Sequence, residues 1–177
     1  MLEVLKVLVP RLMPDGVRCR FVPHEGIKDL ELSIPRKLRA LSHADAEFVV
    51  VRDKHSGNCK AVKEHLSNLC RQGGRPKTLI RIVCHELESW FLGDLAAVGK
   101  AYNHRGIAKR QLKAKFRNPD RLANAAQELC RLVQGYQKIG GSRRIAPHMN
   151  IHKNKSHSFH VFVNGIRQLV ENDFGQP

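Results

Sequence analysis

The apolar positions of this chain fall into short continuous runs and longer helical spacings, and the two kinds alternate. Residues 46–53 (AEFVVVRD) and 78–84 (TLIRIVC) are β-branched, nearly unbroken and abruptly ended, the pattern of parallel strands buried on both faces. Residues 17–24 (VRCRFVPH) alternate and predict a further strand. Leu2, Leu5, Val9 and Leu12 recur at helical intervals, with Val4 and Leu8 beside them, and Pro10 should kink that run before the Pro14-Asp15-Gly16 turn. Residues 28–41 predict a helix whose second half begins or bends at Pro35. Ser56-Gly57-Asn58 can cap a helix running to about residue 71, where Gly73-Gly74 stops it. From residue 85 to about 102 a helix carries Leu87, Trp90, Phe91 and Leu95 on one face, spacing that speaks for core packing.

This order of helices and strands predicts an α/β fold with a mostly parallel sheet of three to four strands. Past residue 102 no strand is evident. A basic linker (HRGIAKRQLKAKFR), a helix over 119–133, the segment GGSRRIAPHMNIHKNKSHS and a helix over 159–170 follow. Residues 1–102 therefore read as the α/β core and 103–177 as a basic helical extension packed on it. The chain is long enough to bury a core without a disulfide or metal staple.

Charge changes the picture. Lys and Arg number 31 against 16 Asp and Glu, a formal net charge of +15, which excludes little but favours a polyanionic partner such as nucleic acid. Residues 95–177 hold 15 of the basic and only 4 of the acidic side chains, so the excess is mostly C-terminal. Five cysteines with no C-x-x-C pair point to reduced thiols in the cytoplasm. No apolar run approaches the roughly 18 residues of a membrane helix.

Asp53 ends one apolar run, and Glu86 and Glu88 follow the other, so these three carboxylates are the candidate catalytic groups. A strand that stops at an acid places it on the carboxyl rim of the sheet, where open α/β folds bind ligands. Asp53 and Glu86 are expected on one rim, with His55 a nitrogen ligand better suited to manganese or zinc than to magnesium. The competing reading of Glu86 and Glu88 is stabilisation of a helix N-terminus. Arg143, Arg144, His148, Lys153, Lys155, Ser156 and Ser158 form a candidate phosphate-contacting set, because guanidinium forks, lysine charges and small donors suit phosphate oxygens; a plain solvated basic face is the alternative. His148, His152, His157 and His160 lack a nearby cysteine and stand among cations, against a zinc site.

VVVRDKHSGNC, IVCHELESWFLGD, FRNPDRLANAAQEL and RRIAPHMNIHKNKSHSFHVF, taken in that order over about residues 2–167, resemble a bacterial family, the domain of unknown function 4276, with a TOPRIM-like fold. The resemblance implies magnesium-assisted phosphodiester chemistry at an acid after a first strand and an Asp-x-Asp pair after a later one. Asp53 matches the first aspartate of the pair; His55 occupies the second position, and Asn58 stands where relatives carry another acid. The resemblance also implies a first strand ending in glutamate, whereas this chain opens in the helix that would follow it. The expected function is a Mg2+- or Mn2+-dependent nuclease subunit working beside an ATPase partner in phage defence. The alternatives are a catalytically inactive nucleic-acid-binding module and an ATPase-docking scaffold.

Overall fold

The computed structural model describes residues 1–54 and 57–174. In chain order its elements are α1 (Leu2–Leu8), α2 (Ile27–Ala40), β1 (Val49–Asp53), α3 (Cys59–Gln72), β2 (Leu79–Val83), α4 (Glu88–Leu92), α5 (Leu95–Ala101), α6 (Arg105–Lys109), α7 (Ala125–Leu132), α8 (Lys138–Ile145) and α9 (His157–Phe174). Single 3-10 turns join several of them.

β1 and β2 are parallel, with Val49 opposite Leu79 and Asp53 opposite Val83, and α3 is the crossover between them. The Asn58 side chain accepts the Lys60 N–H at 2.8 Å and so caps α3, and Gly74 ends it at a φ of 78°. Alternate strand residues serve opposite faces. Val50 and Ile80 pack with Ile34 and Leu38 of α2 and with Leu66 and Cys70 of α3. Val83 joins Val4 and Leu8 of α1, Trp90, Phe91, Leu129, Ile145, Phe159 and Phe162 in the larger core cluster. The sheet is thus covered on both sides, as its continuous apolar runs require.

The sheet is smaller than the sequence predicts: two strands are described in place of three to four. Residues 17–24 take no strand assignment, because alternation sorts side chains by face but supplies no neighbour for the backbone to pair with. The helix predicted over 85–102 is two helices. Asp94 breaks it, accepting the Ala97 N–H at 3.0 Å to cap α5. Gly93 beside it sits so close to Asn154 Oδ1 and the Ser156 nitrogen that any side chain there would collide. The helix predicted over 119–133 opens as a 3-10 turn and becomes α-helical only at Ala125. Pro35 lies inside α2, which continues through it.

The larger core draws on both ends of the chain, from Val4 to Ile166. α9 lies against β2, where Arg81 Nε donates to the Val161 carbonyl at 3.0 Å. Gly165 makes this approach possible, since a Cβ there would overlap the Arg81 guanidinium. None of the described helices is long and apolar enough to cross a membrane.

Candidate functional site

Where the two strands end, all four sequence blocks meet. Asp53 closes β1, and the Lys54 N–H extends the ladder to the Val83 carbonyl at 2.8 Å. Cys84 follows β2, and its thiol is pushed up to about 11, chiefly by burial and secondarily by the carboxylate of Asp120 and the neighbouring Cys59. Cys84 is therefore a neutral thiol at physiological pH and a poor nucleophile. The chain then turns sharply: His85 has a φ of 58°, and Glu86 N–H bonds back to the Cys84 carbonyl at 2.9 Å.

That turn sends Glu86 to α7. Its Oε2 accepts the Ala126 N–H at 2.9 Å, and its Oε1 lies 3.8 Å from Lys138 Nζ. Glu86 thus serves the N-terminus of a helix, though one distant in sequence. Glu88 is buried and accepts the Tyr136 hydroxyl at 3.0 Å. Burial, with the Glu88 carboxylate beside it, raises the Tyr136 phenol far above its ordinary range. Of the three candidate catalytic carboxylates, Asp53 stays at the strand end while Glu86 and Glu88 are held by the α7–α8 region.

Asp120, which the sequence marks only as part of the FRNPDRLANAAQEL block, organises the rim. Its Oδ1 accepts the Ser156 hydroxyl at 2.7 Å and the Ser158 hydroxyl at 3.2 Å, and its Oδ2 accepts the Ser158 N–H at 2.6 Å. Ser158 Oγ in turn accepts the Trp90 indole N–H at 3.0 Å. Asn154 donates to the Trp90 carbonyl at 2.9 Å, and the Lys155 N–H to that of Gly93 at 2.8 Å. Ser156 and Ser158, expected to face phosphate, are buried here and tie NKSHS to ESWFLGD. The only sequence signal for Asp120 is its place in NPDRLAN, a Pro-Asp step that reads equally well as a helix start.

The cationic candidates divide. Arg143 Nε donates to Glu3 Oε2 at 2.6 Å and holds the Glu3 carboxyl below its usual range. Arg144 stacks 4.3 Å over the Tyr102 ring and donates to the Ala101 carbonyl at 3.1 Å. His148, Lys153 and Lys155 are exposed. Near them lies a hollow of about 450 Å³ whose lining includes Arg11, Lys100, His148 and His152 and contains no carboxylate. Arg11, which sequence pattern alone does not mark, reaches it by donating to the Met149 carbonyl at 2.9 Å.

A hard cation needs several oxygen ligands with free lone pairs. Among the described residues no three His, Cys, Asp or Glu side chains gather as a metal-binding group. Glu86 and Glu88 already accept protein donors, which leaves each fewer lone pairs for the expected magnesium or manganese ion. His55 and Ser56, the remaining residues of that loop, lie outside the described residues.

Fold and rim together define the class: an α/β protein with a short parallel sheet buried between helices. Within that class, residues 29–167 match the model of a family described as a domain of unknown function (DUF4276), and the chain belongs to it. No curated protein and no solved structure matches the sequence.

Proposed function

We propose that this chain is a nucleic-acid-binding module that grips phosphate backbone with the face formed by Arg11, Lys100, His148, His152, Lys153 and Lys155. The carrying observation is the carboxylate-free lining of the hollow among those side chains. Two of the acids of the C-terminal half are engaged with other partners. Asp120 holds Ser156 and Ser158, and Glu128 binds Lys115 and Arg131. Arg and Lys left without acidic partners attract phosphates and release counterions on contact. Binding of labelled single- and double-stranded oligonucleotides, followed by fluorescence anisotropy, tests the reading. Contact with four phosphates predicts a roughly hundredfold loss of affinity between about 50 and 200 mM salt. Affinity that is flat with salt, or unchanged in Lys100→Glu combined with Lys153→Glu, contradicts it.

A second reading follows from Asp53 at the carboxyl end of β1. In it the chain is a TOPRIM-like subunit of a Mg2+- or Mn2+-dependent nuclease, active beside an ATPase in phage defence. Because Glu86 and Glu88 are engaged, it needs ligands from beyond the described residues or from the partner. Its test is metal-dependent nicking by the assembled complex that Asp53→Ala removes.

A further inference from the structure

A second hollow lies away from the cationic face, and its lining reaches Asp53 at the strand end. A groove of about 940 Å³ runs beside β1, bounded by Val49–Asp53, by α2, by residues 18–24 and by the start of α1. The ladder fixes which peptide groups face it. Leu79 N–H bonds to the Phe48 carbonyl and Lys54 N–H to the Val83 carbonyl, so residues 48, 50, 52 and 54 point their backbone groups at β2. In a parallel strand the alternate residues point the other way. The N–H and C=O groups of Val49 and Val51 therefore face the groove, and among the described residues no backbone partner takes them up.

The side chains agree with the backbone. Val22, Leu41 and Val49, exposed by 47%, 40% and 37%, all line this groove, an apolar surface left open beside a bare strand edge. Residues 17–24 have the alternation of a strand and lack a pairing neighbour. Arg18, Arg20 and Lys37 outnumber the acids Glu47 and Asp53 in the lining of the groove, and neither Arg18 nor Arg20 makes an ion pair with a described carboxylate. A second copy is a poor occupant, since two chains of +15 repel each other.

We infer that the groove receives an extended segment of a partner protein, apolar at alternate positions and acidic at its ends, which pairs with the outer edge of β1. Main-chain hydrogen bonds to Val49 and Val51 supply binding, the exposed valines and Leu41 receive alternate side chains, and Arg18 and Arg20 select carboxylates. This surface is separate from the proposed phosphate-binding face, so either assignment can fail alone.

Fluorescence anisotropy with two labelled synthetic peptides, ETVTVTVTE and KTVTVTVTK, tests the inference on the full chain. The glutamate-ended peptide should bind saturably and about tenfold more tightly than the lysine-ended one. Arg18→Glu combined with Arg20→Glu should reverse that preference. Val51→Pro removes an outward N–H while leaving the ladder to β2 intact, and should abolish binding of both peptides with the helical circular dichroism retained. Should that variant unfold, the charge reversal carries the test by itself. No saturable binding of either peptide, a preference untouched by the charge reversal, or full binding by Val51→Pro would each overturn the assignment. So would a dimer in sedimentation velocity that the charge reversal dissociates.

Discussion

Asp120 and Ser158 are bound to each other twice, through the serine N–H at 2.6 Å and its hydroxyl at 3.2 Å, while the same hydroxyl accepts the indole N–H of Trp90. Ser158 lies in the first turn of α9, so Asp120 places a negative charge where the helix presents unsatisfied N–H groups. Asp120→Ala should lower stability by about 1.5–3 kcal/mol, the range for hydrogen bonds to a charged acceptor. Urea denaturation followed by tryptophan fluorescence checks this, because the one tryptophan, Trp90, sits in the affected network.

Tyr136→Phe takes away the hydroxyl that donates to buried Glu88. A buried carboxylate deprived of a donor costs about 1–3 kcal/mol, and the variant should unfold at correspondingly lower urea. The effect also has a pH signature. The Tyr136 phenol titrates above its ordinary value of 10.0 in the folded chain, so its contribution is complete below pH 10 and declines as pH rises beyond it. Denaturation curves between pH 8 and 11 should show wild type losing stability more steeply than Tyr136→Phe.

Glu128 gives the opposite pH dependence. Lys115, hydrogen-bonded to it at 2.5 Å, is the main cause holding its carboxyl below the ordinary 4.5, and Arg131 assists. A depressed carboxyl contributes stability that is present above its unfolded value and lost as pH falls through its folded one. Lys115→Ala should therefore narrow the difference in denaturation midpoint between pH 7 and pH 3.

The cations of the C-terminal half should not weigh equally in nucleic-acid binding. Lys100→Ala with Lys153→Ala should reduce the slope of log affinity against log salt by about 2, one for each phosphate that a lysine no longer neutralises. Arg143→Ala should change it much less, since that guanidinium is already paired with Glu3. Salt titrations of oligonucleotide anisotropy on the two variants make the comparison.

Gly165→Ala tests the packing of α9 on the sheet. The added methyl displaces the Arg81 guanidinium, the far end of a flexible side chain, and breaks its bond to the Val161 carbonyl; that loss of about 1 kcal/mol is offset by the helix preference of alanine over glycine, so the thermal midpoint should move little.

The strands and the helix between them are legible in the sequence because their signals are local: β-branched runs, a capping asparagine and a glycine stop lie within a few residues of what they specify. The split at Gly93 and Asp94 is legible only in part: Asp94 caps α5 locally, but Asn154, which packs against Gly93 and holds the Trp90 carbonyl, lies some sixty residues away. The same applies to the candidate chemistry. Position along the chain puts Asp53 at a strand end, which the structure bears out. It offers no hint that Glu86 would reach Ala126, that Glu88 would meet Tyr136, or that Asp120 would gather both serines. A carboxylate's role is decided by the donors that tertiary packing brings to it, and one-dimensional spacing does not contain them.

Val4 and Leu8 share their core with Phe159, Phe162 and Ile166. During synthesis α1 must wait, its apolar stripe in water, until α9 leaves the ribosome. Such distant closure is entropically slow and lengthens exposure to aggregation and proteolysis. Removal of α9 should therefore leave the core unclosed rather than yield a smaller working protein.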